Sequence, residues 1–178
     1  MNAKRWVLAC LTVLILSAAP GMAGQQPGYT PPKASAEFDR IKALAGKWQG
    51  TSKEGSGDPS PVAVEYQVTS GGTSVVEKLF PNTAHEMVSV YNDKDGKLSM
   101  THYCMLGNQP QFELKSADGS HINLESSAET RKQLAGKMYM NTLVLEQPSD
   151  DQLIESWGAV SPDGKSAEPT VFTLKRTA

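Results

Sequence analysis

From Lys47 to Arg176 the chain is a succession of short β-like runs broken by turn residues every 8 to 12 residues or so, and this rhythm limits the fold more than any other feature. Ten runs read as strands: Lys47–Ser52, Val62–Thr69, Ser74–Phe80, Glu86–Asn92, Lys97–Cys104, Gln111–Ser116, His121–Ser127, Met138–Glu146, Leu153–Val160 and Thr170–Arg176. Between them stand "SGG", "PNTA", "DKDG", "GNQP", "ADG", "QPSDD" and "SPDGKSAEP", residues that supply positive φ or fixed turns. Links this short join neighbouring strands antiparallel, because parallel crossovers need a dozen or more residues, usually a helix. Closing such a sheet removes its exposed edges. The expected fold is therefore all-β, an antiparallel up-and-down barrel of about ten strands, whose interior is filled by side chains or shared with one small ligand.

Ahead of the strands, Phe38, Ile41 and Leu44 recur at helical spacing, with Ser35 placed to cap the start and Gly46 to end the run. One short N-terminal helix is predicted, and "AETRKQLAG" is a candidate helical turn between later strands. The stretch 24–35, "GQQPGYTPPKAS", has little to bury and reads as a flexible leader. Before it, Lys4 and Arg5 precede the apolar run Trp6 to Ala19, too short for a span of about 18 to 20 residues. Gly21 and Ala23 then offer the small residues that signal peptidase accepts. Residues 1–23 are expected to be a cleaved signal peptide and residues 36–178 one barrel domain, periplasmic or secreted, with no stable membrane anchor after cleavage. Cys10 superficially suggests a lipobox, but it precedes most of the apolar run that an acylated cysteine should follow.

Removing Lys4 and Arg5 with the leader takes the formal charge from −2 to −4 and leaves no basic tract, which argues against nucleic acid and anionic membranes as partners. Cys104 is then the one remaining cysteine, so an internal disulfide framework is excluded.

The segment "LAGKWQGTS" places Gly46, Lys47 and Trp48 at the start of the first strand. It resembles the Gly-x-Trp signature that opens lipocalins and related calycin barrels, in which the Trp plugs the closed end and a basic residue from the chain's far end lies over it. Here that resemblance implies closure by Trp48 with Lys175 or Arg176, the latter being the candidate retained. The longer segment from Thr69 to Pro110 is similar to a group of uncharacterised bacterial exported proteins with lipocalin-like domains, which implies a fold and no activity. More distantly, "GKWQG" resembles the start of nitrobindin-type haem barrels. Their haem is held by a histidine near the carboxyl end, whereas the last histidine here is His121, so no haem or other cofactor is expected from the resemblance.

The residues richest in chemistry lie in a hairpin around "NDKDGK". A two-residue loop at Asp95-Gly96 would set Ser89 against His102 and Met87 against Cys104; a four-residue loop would set Met87 against His102 and His85 against Cys104. Either choice puts Met87, Ser89, Tyr91, Leu98, Met100, His102 and Cys104 on one face, read as inward, and turns Tyr103 away. His85, His102 and Cys104 form a possible zinc or copper set, or a thiol with its base, although no dense ligand spacing accompanies them. The blander reading has His102 hydrogen-bonded inside the barrel and His85 at a solvated turn. Asn108 and Gln109 either make a corner or, at an open mouth, bind a ligand's head group. Glu65 falls opposite the apolar row of its strand, while Glu77 and Glu155 fall in apolar rows and, if buried, need a partner such as Arg176 or a ligand cation.

The leading expectation is a periplasmic, lipocalin-like barrel binding a small, mainly apolar molecule in its interior, with Val64, Tyr66, Met87, Met100, His102, Cys104, Asn108, Gln109 and Trp157 as candidate ligand-binding residues. A ligand-free interaction barrel and a haem- or metal-dependent protein or enzyme are the alternatives.

Overall fold

The computed structural model describes residues 33–177. The signal peptide expected over 1–23 and most of the leader expected over 24–35 lie outside them. Ten strands form one closed antiparallel barrel in which each strand pairs with its neighbours in sequence and the first pairs with the last. They are β1 Gly46–Glu54, β2 Ser60–Thr69, β3 Ser74–Leu79, β4 Met87–Lys94, β5 Lys97–Tyr103, β6 Gln111–Ala117, β7 His121–Ser126, β8 Tyr139–Ser149, β9 Gln152–Val160 and β10 Thr170–Arg176. All ten expected runs are strands. Two short helices accompany them, α1 Ala36–Ala43 before the barrel and α2 Ala128–Gln133 between β7 and β8.

Alternation along the strands builds the core: Val62, Val64 and Tyr66 on β2, Val75 and Leu79 on β3, and Leu98 and Met100 on β5 are buried, with their sequence neighbours facing out. The stretch "QPSDD" departs from the sequence reading. It contributes to strand rather than loop, with β8 running to Ser149 and pairing with Gln152 across a two-residue turn. A register shift between Glu146 and Ser149 makes this possible, because a bulge tolerates Pro148, which has no N–H to give the ladder.

The ladder between β5 and β6 joins Ser99, Met100 and Thr101 to Glu113, Phe112 and Gln111 and does not reach back to Leu98 and Leu114. A second register shift, between Leu114 and Ser116, bends β6 toward β7. A cleft of about 340 Å³ opens beside the unpaired ends, with Lys97, Leu98 and Leu114 among its walls.

One end of the barrel is closed. Ser35 caps α1 by accepting from the Phe38 N–H, and its hydroxyl in turn donates to Asp93 at 2.6 Å. At the other side of the helix Arg40 donates to the carbonyls of Asp118 and His121, so α1 is tied to two hairpin turns. Phe38, Ile41 and Leu44 enter the core, and Trp48 is fully buried with its indole N–H donating to Leu44 O at 2.8 Å. The guanidinium of Arg176 stacks 4.2 Å above the Trp48 ring and donates to the carbonyls of Ala45, Ala43 and Asp150. Close approach of β10 also fixes Gly50, because a Cβ there would meet Thr173 O at 1.8 Å. In this meander the loops β1–β2, β3–β4, β5–β6, β7–β8 and β9–β10 gather at the opposite end, which forms the mouth.

Replacing Arg176 with Ala removes the stack and strands three carbonyls. It should lower stability by about 2 kcal/mol, read as a reduced urea midpoint at unchanged slope, and Arg176→Lys should recover part of the loss.

Candidate functional site

The hairpin adopts the two-residue loop. Lys94 pairs with Lys97 and Ser89 with His102, while Asp95 and Gly96 take the positive φ that such a turn requires. The inward face holds Ser89, Tyr91, Leu98, Met100 and His102, all buried, and Tyr103 points outward.

Register then aligns polar residues across the wall. Tyr66 on β2 pairs with Glu77 on β3, Glu77 with Ser89 on β4, and Ser89 with His102 on β5. From the far wall β9 contributes Glu155 and Trp157. The Tyr66 hydroxyl lies 3.0 Å from Glu77 Oε1 and 2.8 Å from Glu155 Oε1, Tyr91 donates to Glu77 Oε2 at 2.8 Å, and the Trp157 indole N–H donates to Glu155 Oε2 at 3.1 Å. Glu77 and Glu155 are completely buried.

Hydrogen counting assigns protons in this network. A phenol has one proton to donate, so two carboxyl oxygens at Tyr66 demand that one carboxyl be protonated and donate to the phenol oxygen. Glu155 is that acid. Burial, and then the charge of Glu77, holds it well above the usual carboxylate range. Burial also raises Glu77, but hydrogen bonds from Tyr91, Ser89 and Tyr66 favour its charged form, which makes it the anion of the pair. Burial pushes the Tyr66 and Tyr91 phenols well above their ordinary value, so both stay neutral. The partner anticipated for Glu77, Arg176 or a ligand cation, is thus replaced by two phenols, while Arg176 is engaged over Trp48. Glu65, expected to be solvated, is half-buried on the wall beside Lys78.

His102 extends the network toward the mouth. Its Nδ1 lies 3.0 Å from Ser89 Oγ, its ring packs against Trp157 with centroids 4.9 Å apart, and burial lowers its pKa to about 4. Ser89 is also the cross-strand neighbour of Glu77, so the imidazole continues the polar row. The imidazole is neutral at pH 7, and its Nε2 has no hydrogen-bond partner among the described residues.

The other sequence candidates separate into groups. Val64, Tyr66, Met100, His102 and Trp157 are buried in the interior, and Met87 packs at its edge. Cys104 is half-buried at the rim, where burial pushes its thiol up, away from the thiolate that nucleophilic chemistry needs. Asn108 and Gln109 serve the corner: Asn108 Nδ2 donates to Met138 O at 2.8 Å, and the backbone carbonyl of Asn108 accepts from Cys104 N–H. Gln109 is exposed and reaches back to Gly107 O. His85 is exposed on the β3–β4 loop, its N–H bonded to Thr83 Oγ1. The structure does not bring His85, His102 and Cys104 together, and among the described residues no three His, Cys, Asp or Glu side chains gather where they could hold a metal ion. The reason is the hairpin register, which gives His102 a serine partner and leaves His85 beyond the end of β4. Sequence alternation raised the question of Glu77 and Glu155 but missed their link through Tyr66, since nothing in the sequence sets β3 against β9 across the lumen.

The Asn108–Met138 bond draws two mouth loops together, and the apolar residues around it stay uncovered. Tyr103 is 51 % exposed, Met105 60 %, Leu106 48 % and Met138 43 %. Clefts of about 430, 340, 310 and 140 Å³ lie elsewhere, along the wall and at the barrel ends, and Glu77, Glu155 and His102 line none of them.

No family model matches the chain, and no curated protein matches it. Among solved structures, a protein of unknown function from the DUF3598 family of Nostoc punctiforme aligns with a TM-score of 0.52 at 12 % identity, over 77 % of this chain and 48 % of its own. The chain thus spans about half the length of that protein, and at this identity the likeness is one of fold. A redesigned β-barrel aligns over 78 % of this chain and 95 % of its own at 17 % identity, with a TM-score of 0.37. The closed ten-stranded barrel fits a calycin-like fold.

The two buried titrating groups act on stability in opposite directions. Glu155 has its pKa raised in the folded state, so its contribution is complete below the unfolded value of about 4.3 and is lost as pH rises above it. His102 is lowered to about 4, so its contribution is complete above about 6.5 and lost as pH falls toward about 4. Glu155→Gln, whose amide can donate to Tyr66 while its carbonyl accepts from Trp157, should flatten the alkaline slope, leaving the smaller part due to Glu77. In thermal melts from about pH 5 to about pH 9 the Tm gap in favour of the variant should widen steadily, at up to about 1.4 kcal/mol per pH unit in stability.

Proposed function

We propose that the mature chain is a periplasmic, lipocalin-like barrel that binds a small, mainly apolar molecule at its mouth. The observation that carries this reading is the exposure of Tyr103, Met105, Leu106 and Met138 around one end of a barrel whose other end is closed by α1, Trp48 and Arg176. Neighbouring apolar side chains left in water at one place cost solvation free energy and mark a binding surface. Below the rim the interior is apolar apart from a few placed polar groups, the composition that small-molecule sites use for affinity and orientation. Export follows from the leader sequence, which supplies the periplasmic part of the reading.

The mutual satisfaction of Tyr66, Glu77, Tyr91 and Glu155 favours a second reading, a ligand-free barrel whose rim serves as an interaction module. Titration with the fluorescent apolar probe N-phenyl-1-naphthylamine separates the two. A mouth site predicts a saturable rise at about one probe per chain, weakened at least tenfold by Met105→Ser with Leu106→Ser, two exposed positions whose replacement should change stability by under about 1 kcal/mol. An unsaturable signal, or one the double variant leaves unchanged, would remove the binding reading and leave the filled module. Mass spectrometry of the exported protein should give a chain beginning at Gly24.

A further inference from the structure

We propose that Nε2 of His102 is the polar anchor of the mouth site, accepting a hydrogen bond from a hydroxyl or N–H on an otherwise apolar, preferably aromatic, molecule. The inference rests on the reading of the barrel as a binder and names the ligand chemistry of that site.

Three observations support it. His102 is the second-last residue of β5 and points inward, which places it one step below the rim formed by Cys104 to Pro110. Its ring is oriented by a line of cross-strand neighbours: Glu77 pairs with Ser89, Ser89 with His102, and the Nδ1–Oγ distance is 3.0 Å. The anchor takes the tautomer in which Nδ1–H donates to Ser89 Oγ, which leaves Nε2 its lone pair. Finally, Nε2 has no protein partner among the described residues, although His102 is 99 % buried. Among the described residues the one sealed side-chain atom without a hydrogen-bond partner is Asn108 Oδ1, so Nε2 keeps a trace of solvent contact.

A lone acceptor in an apolar surrounding selects strongly. Trp157 lies against one side of the imidazole, with Phe112 edge-on to that indole at 6.4 Å, and Met100 is buried two residues before His102 on the same face. The titratable groups facing His102 through Ser89 and Trp157 are Glu77 and Glu155, both already bonded within the protein. Nε2 is therefore free to read the ligand. A donor-bearing aromatic satisfies it, whereas an isosteric ether presents a second acceptor and is rejected.

Phenol and anisole, which differ in that one donor, test this by intrinsic tryptophan fluorescence and by the ring ¹⁵N shifts of His102. Wild-type protein should show the Nδ1–H tautomer, bind phenol at least tenfold more tightly than anisole, and shift Nε2 only on phenol addition. His102→Phe keeps the packing on Trp157 and should bind both equally. Ser89→Ala leaves the imidazole in place but frees its tautomer, and should reduce the preference. This second variant and the ¹⁵N spectrum decide the matter if His102→Phe fails to fold. Equal binding of both probes to wild type, or an Nε2–H tautomer in the free protein, overturns the anchor and leaves the mouth site standing. Failure of phenol, anisole and N-phenyl-1-naphthylamine alike overturns the binding reading itself, and the anchor with it.

Discussion

The Tyr66 phenol, held between carboxyl groups from two separate parts of the barrel wall, is the contact on which the interior depends. Glu77 comes from β3 and Glu155 from β9, strands separated in the sheet by β2, β1 and β10, so the bond through Tyr66 spans the lumen. Two ionised carboxylates in that position would repel in a poorly screened medium and would leave one of them without a proton from the single Tyr66 hydroxyl. One proton on Glu155 resolves both problems. Tyr91 donates to the second oxygen of Glu77, and the cross-strand neighbours Glu77, Ser89 and His102 continue the row. A single polar row thus runs from the barrel's centre toward its mouth.

This arrangement favours specificity of packing over raw stability. Buried charged or polar groups often contribute less than well-packed apolar side chains of similar volume, whereas removing one member of a satisfied set is costly. A barrel interior whose purpose was stability alone would be served by leucine at positions 77 and 155, as it is at 79 and 153 on the same strand faces. The polar row instead sets the register of β2 through β5, since shifting any one strand by a residue would turn its polar member outward and break the line.

The fold was legible in the sequence because its determinants are local. Turn residues at regular spacing located all ten strands, and the Phe38, Ile41 and Leu44 spacing located α1. The inward face of the β4–β5 hairpin was readable for the same reason, being a matter of alternation. What escaped was long-range or depended on one residue of register. Whether His102 meets Ser89 or Met87 turns on loop length, and both lengths preserve the face. The bulge at Pro148, which carries β8 to Ser149, depends on a ladder with β9 that no local pattern encodes. The meeting of Glu155 with Tyr66 requires knowing how the barrel closes.

The two halves of the lumen therefore have different physical characters. Toward α1 the polar atoms of the lumen are paired with one another, the Trp48 indole is bonded to Leu44, and Arg176 covers the end. Toward the mouth the apolar rim is uncovered and one imidazole nitrogen lacks a partner. Polar groups that satisfy each other make a scaffold, and a polar group held rigidly by that scaffold with one valence unspent makes a recognition element. His102 stands at the boundary between these halves. Its Nδ1 belongs to the scaffold, and its Nε2 faces the half of the barrel where binding would take place.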